Sequence, residues 1–144
     1  MEKHKPAKVI TIELDKVAEN KIISYLKENE ANFWNGSIAD RKVAFTNLNG
    51  SLNKLFQKET CILFAVPNRL GKWKNSGQSY YNWIADIILL QGRLSVITYL
   101  HEYGHSLGMG EKSAQRFASD LFKEAFPKRF AKLSKSSDKV MFVK

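Results

Sequence analysis

Five consecutive residues, His101-Glu102-Tyr103-Gly104-His105, carry the chemistry most readily read from this chain. They form an H-E-x-x-H pattern inside a stretch with helical periodicity. On a helix, residues four apart are stacked neighbours, with Cβ atoms about 5–6 Å from each other. Two imidazoles so placed can both reach one Zn²⁺ at about 2.0–2.1 Å. Glu102 then projects beside the ion, where a carboxylate can take a proton from a metal-bound water. The chain has only three histidines, and two of them stand here. The alternative is a pair of partly buried helix histidines with no metal.

A catalytic zinc takes three protein ligands and keeps one position for water. Glu111 is the candidate for the third, six residues beyond His105 and just past Gly108-Met109-Gly110, where two glycines allow a sharp reversal. It would open a new helix and point back at the histidines. The alternative for Glu111 is a first-turn carboxylate that complements the helix dipole. Asp120, in the far turns of the same helix, is the weaker rival.

The elements that must hold these residues follow from periodicity. Leu94, Ile97, Leu100, Gly104 and Leu107 fall at helical spacing between Gly92 and Gly108, the latter suited to the residue just past a helix end. Ala114, Phe117, Ala118, Leu121, Phe122 and Ala125 form an apolar stripe on a second helix that ends at Pro127. Upstream, residues 9–14 alternate as a strand. Asp15 can cap a helix running to about Ala31, with Val17, Ile22, Tyr25 and Leu26 inward. Residues 32–36 read as a break with Phe33 and Trp34 on the core edge. Residues 42–46 read as a short strand, and Asn49-Gly50-Ser51 as a lead into a short helix through Leu52, Leu55 and Phe56. The run 61–66 reads as a central strand with Cys61 buried, 68–78 as a polar loop, and 83–90 as a further strand. A short basic helix and a last strand at 140–143 close the chain.

The stretch from His101 to Glu111 resembles the zincin metallopeptidases in two ways. H-E-Y-G-H-S-L-G-M-G-E is similar to the metzincin pattern H-E-x-x-H-x-x-G-x-x-H, with Gly108 at the glycine and Glu111 replacing the third histidine; a Met-turn at Met141 matches only loosely. It also resembles the ImmA/IrrE-type gluzincins, in which a helix of the form E-x-x-A-x-x-F-A supplies the glutamate; Glu111, Ala114, Phe117 and Ala118 fit that form, across a shorter connection than is usual there. Both resemblances imply His101, His105 and Glu111 as zinc ligands and Glu102 as general base. They imply a small single-domain α+β, zincin-like fold, a twisted mixed sheet laid against a backing helix and the active-site helix. In such a fold the strand before the active-site helix, here 85–89, either pairs with an extended peptide substrate or lies in the interior. Tyr80 and Tyr81 would then either donate to an oxyanion or, the reading favoured by their type, pack at the core rim.

The 144 residues suit one domain, 1–144, whose C-terminal part from about 123 is basic. With one cysteine, Cys61, the chain can form no internal disulfide. A polar N-terminus and the lack of any apolar run near 18 residues give no signal peptide of the usual form and no membrane span. These features suit a cytoplasmic or intracellular protein, phage-encoded ones included. The net charge of +9 raises an acidic partner or nucleic acid, with Trp73, Tyr80, Tyr81 and Trp83 near Lys72 and Lys74 able to stack on bases; a plain basic surface is the simpler account. Two functions therefore stand: a zinc metallopeptidase acting on protein or peptide, or a non-catalytic binding module, on nucleic acid or within a phage particle, with a structural or vestigial site.

Overall fold

Helix α1 (Lys16–Glu28) opens the structure, a computed structural model that describes residues 16–65, 79–92 and 94–136. It is followed by α2 (Glu30–Asn35), α3 (Ile38–Phe56), β1 (Cys61–Ala65), β2 (Tyr80–Asn82), β3 (Ile87–Gln91), α4 (Val96–Ser106), α5 (Glu111–Ala125) and α6 (Pro127–Ser136). The fold is α+β, with a small mixed sheet ordered β1-β3-β2. β3 runs parallel to β1 and antiparallel to β2. The expected strands at 9–14 and 140–143, the cap at Asp15, the loop at 68–78, and Met141, Trp73, Lys72 and Lys74 lie outside the described residues.

Alternation decides which sheet face is covered. Ile62, Ile88 and Tyr81 are in register, and Ile88, Leu90 and Tyr81 are buried in the core with the helices. The opposite face carries Leu63, Leu89 and Tyr80 in register, of which Leu63 and Tyr80 are exposed. Within the run expected as a central strand, β1 is thus an edge strand among the described residues, and Cys61 is exposed, because its parity puts it on the open face. β3 holds the centre, and its strand begins only at Ile87. Residues 83–86 form a turn instead, in which Asn82 Oδ1 accepts the Ile84 and Ala85 N–H groups at 3.0 and 3.1 Å.

The largest departure from expectation is α3. One helix replaces the expected strand at 42–46 and the turn at 49–51. Its start is a capping box: Ser37 Oγ accepts from the Asp40 N–H, and the Asp40 carboxylate accepts from the Ser37 N–H. Asn49 is buried at its centre and hydrogen-bonded through its side chain, so the turn-forming tendency of Asn-Gly is overridden by tertiary contacts. The expected break at 32–36 is helix α2, and the real interruptions fall at Asn29 and Gly36. Phe33 is buried between Trp34 and Phe45. Ile22 and Leu26 are buried as expected, whereas Val17 is 64% exposed in the first turn of α1.

β3 passes to α4 through a strained junction. Leu94 is buried with φ +55°, a conformation that costs a non-glycine residue about 1–2 kcal/mol. Arg41 of α3 holds it, donating from Nη2 to the Leu94 carbonyl at 3.1 Å and from Nε to the Phe33 carbonyl at 2.8 Å. Ser95 then caps α4 by accepting the Thr98 N–H.

Candidate metal centre

His101 and His105 lie on one face of α4, in its last turns, with ring centroids 4.8 Å apart and planes nearly perpendicular. The helix ends immediately after them in a Schellman arrangement. The Met109 N–H donates to the Gly104 carbonyl at 3.1 Å, and the Gly108 N–H to the His105 carbonyl at 2.9 Å. Gly108 adopts φ +96°, which only glycine takes without strain. The reversal carries the Met109 carbonyl back to His105, where it lies 2.9 Å from Nδ1.

The same reversal starts α5. Gly110 is its N-cap and Glu111 its first residue. Glu111 does not simply face its own helix end. Its Oε1 lies 3.1 Å from His105 Nε2, and its Oε2 lies 3.3 Å from His101 Nε2. The close approach of the two helices that permits this depends on Gly104. A Cβ there would meet Phe117 Cδ2 at 3.2 Å and Ala114 Cα at 3.3 Å, one turn along α5 from Glu111.

The donor chemistry fits a cation. A carbonyl oxygen only accepts, so His105 Nδ1 carries its hydrogen toward Met109. Neutral His105 then presents a bare lone pair at Nε2, facing a carboxylate oxygen that also only accepts. A positive centre between them, proton or metal, turns this opposition into attraction. Two of the separations also fit a metal: ligands bonded at about 2.05 Å in tetrahedral array lie about 3.3 Å from one another. The whole set of His101, His105 and Glu111 donor atoms spans no more than 4.8 Å. The carbonyl on Nδ1 is the outer partner that metal-ligating histidines usually have, and it fixes the tautomer that leaves Nε2 for the ion.

Burial is graded across the set. The side chains of His105, His101 and Glu111 are 4%, 15% and 53% exposed, so the site is walled on the α4 side and open on the α5 side. Glu102 is buried within α4 next to the ligand pair. Asp120 is exposed in a later turn of α5 and is not part of the cluster.

Other expected participants stand elsewhere. β3 is paired on both edges, so the segment 85–89 cannot take up an extended peptide by strand addition. Tyr81 is buried, and its hydroxyl donates to Asp86 Oδ1 at 2.7 Å; burial first, then the Asp86 carboxylate, pushes its ionisation well above the usual tyrosine range. Tyr80 belongs to the exposed sheet face. Both lie in β2, not in a loop. The Met109 carbonyl was not foreseeable from side-chain types, although a histidine two residues before the cap of a glycine-ended helix is the available signal. The chain shows no significant match to any protein-family model, curated protein or solved structure.

Proposed function

We propose that the chain is a zinc-dependent metallopeptidase. The observation that carries this reading is the convergence of both histidine Nε2 atoms on the two oxygens of Glu111, with His105 Nδ1 held by the Met109 carbonyl. A structural zinc site is closed by four protein ligands; among the described residues this one offers three and an open side, the pattern of catalytic sites. Bound there, zinc would polarise a substrate carbonyl and lower the pKa of its water towards about 7. His101, His105 and Glu111 would hold the ion. Glu102 takes the proton of the attacking water on its carboxylate and returns it to the leaving nitrogen. Its burial in α4, one residue after His101, keeps that carboxylate largely out of bulk water.

The test joins metal content to cleavage. Elemental mass spectrometry of the purified chain should find about one zinc per molecule and a clear reduction in Glu111→Ala. Glu102→Gln should keep the zinc and lose cleavage of an unfolded protein substrate by about 10²- to 10⁴-fold. A chain that takes up no zinc on reconstitution, or cleavage that survives Glu102→Gln, would overturn the proposal.

A second reading, a binding module for nucleic acid or another acidic partner, is favoured by one observation: α5 and α6 expose Lys112, Arg116, Lys123, Lys128 and Lys132. That reading expects binding that weakens steeply with salt and is unchanged in Glu102→Gln.

A further inference from the structure

Behind the histidines, α4 carries a second pair at the same spacing, Tyr99 and Tyr103. Two residues along a helix is about 200° of rotation, so this pair lies nearly opposite His101 and His105. Both tyrosines are buried, and both hydroxyls donate to asparagines of α3: Tyr99 to Asn49 Oδ1 at 2.6 Å and Tyr103 to Asn53 Oδ1 at 3.0 Å. The asparagines are themselves four residues apart, so the two rungs match along both helices. Each asparagine then donates from Nδ2 to one acceptor, the Thr60 carbonyl, at 2.9 Å. The Thr60 hydroxyl donates to Asp86 Oδ1 at 2.9 Å, the same oxygen that receives Tyr81. A continuous polar chain thus runs from the back of α4 through α3 to the end of the sheet, each link with a defined donor and acceptor.

We propose that Asn49, Asn53, Tyr99 and Tyr103 are positioning residues for the metal centre, setting the roll and axial register of α4. The inference rests on the metal reading above. Apolar burial is non-directional and tolerates small rotations of a helix in its bed. A metal site does not: an imidazole Nε2 lies roughly 6 Å from the helix axis, so a 10° roll displaces it by about 1 Å, against a tolerance of about 0.2 Å in ligand distances. Hydrogen bonds to fixed partners are directional and lose strength steeply when bent. Two rungs one turn apart resist both roll and slide, which one rung would not. Apolar residues of similar volume at 53 and 103 would fill the same space and leave the Thr60 carbonyl its other donor, Asn49 Nδ2. One asparagine suffices for the Thr60 carbonyl, so stability alone gives no reason for the second rung, whereas holding a helix at a fixed angle does.

The experiment separates positioning from stability. Zinc affinity is measured by chelator competition, and the absorption spectrum of the Co²⁺-loaded protein reports ligand geometry, on wild type, Tyr103→Phe and the double variant Tyr103→Phe/Asn53→Leu. Tyr103→Phe leaves Asn53 Oδ1 without its donor. The double variant replaces the whole rung with apolar groups and should regain thermal stability relative to Tyr103→Phe. The expected result is that zinc affinity falls by about 10- to 100-fold in Tyr103→Phe, the scale of lost outer-sphere support. It should stay reduced in the double variant, with an altered Co²⁺ spectrum, even as stability recovers. Zinc affinity that recovers together with stability, or never falls, would overturn the positioning role while leaving the metal centre intact. A wild-type chain that binds neither ion would overturn both, and is distinguished by failing before any variant is compared.

Discussion

Gly104 stands between Tyr103 and His105, where α5 comes against the α4 backbone. The nearest obstacles to an added Cβ are the Phe117 ring and, less yielding, the Ala114 Cα at 3.3 Å. Gly104→Ala gains about 1 kcal/mol of helix propensity and loses about 1–3 kcal/mol to overpacking. A net loss near 1 kcal/mol is therefore expected in urea unfolding. The larger effect should be on the metal. Ala114 lies one turn from Glu111, so a shift of a few tenths of an ångström at the contact is passed directly to the carboxylate. Zinc affinity should drop at least about tenfold, out of proportion to the stability lost. Undiminished affinity in Gly104→Ala would show that Glu111 follows the histidines by side-chain adjustment instead of being set by the approach of the helices.

At the scale of elements, two glycines with open space around them should respond in opposite directions. Gly50 is exposed in the middle of α3, and a Cβ there would meet nothing within 4 Å. Gly50→Ala should stabilise the chain by about 0.5–1 kcal/mol, since it removes the entropy that glycine loses on entering a helix. Gly108 also has open space around it, but at φ +96°. Gly108→Ala should cost about 1–2 kcal/mol and weaken zinc binding, because the reversal it allows brings both Met109 and Glu111 to the histidines. Thermal melts of the two variants with and without chelator measure both effects. The contrast also explains what could be read from the sequence. Gly108 ends an uninterrupted apolar periodicity, so α4, the reversal and α5 with its whole stripe were readable, and with them the three residues of the cluster. Gly50 follows Asn49 in what looks like a turn, and the buried partners of Asn49, at Thr60 and Tyr99, together with the buried Leu48 and Leu52, keep that segment helical. Long-range hydrogen bonds of that kind leave no local pattern, which is why the sequence reads as a divided α3 and carries no sign of the ladder behind α4. The strand at 61–65 was readable as a strand, but its place at the edge was not, since sheet order depends on β2, three residues long.

In the whole molecule the tyrosine–asparagine ladder lies on one side of α4 and the His101, His105 and Glu111 cluster on the other, with the sheet anchoring the ladder through Thr60 and Asp86. That division has a consequence for pH. Burial, the largest cause in each case, pushes the hydroxyls of Tyr99, Tyr103 and Tyr81 well above the ordinary tyrosine value of 10.0. Below about pH 10 all three are protonated in the folded and unfolded chain alike, so they give stability no pH dependence there. Above it the unfolded chain releases the protons while the fold retains them. The native state then binds more protons than the unfolded state, and stability must fall as pH rises, by up to about 1.4 kcal/mol per pH unit for each tyrosine. The decline continues until the folded-state values are reached. Urea unfolding between pH 7 and 11, in the presence of chelator to remove any metal contribution, should give a plateau followed by a steep loss. Tyr99→Phe should start from a lower plateau, because Asn49 loses its donor, yet decline less steeply. Lysine titration is common to both proteins and cancels in the comparison. Equal slopes in the two proteins would mean that Tyr99 ionises as readily inside the fold as outside it, and the Tyr99–Asn49 rung could not then be the closed, water-excluded connection between α3 and α4 that its burial describes.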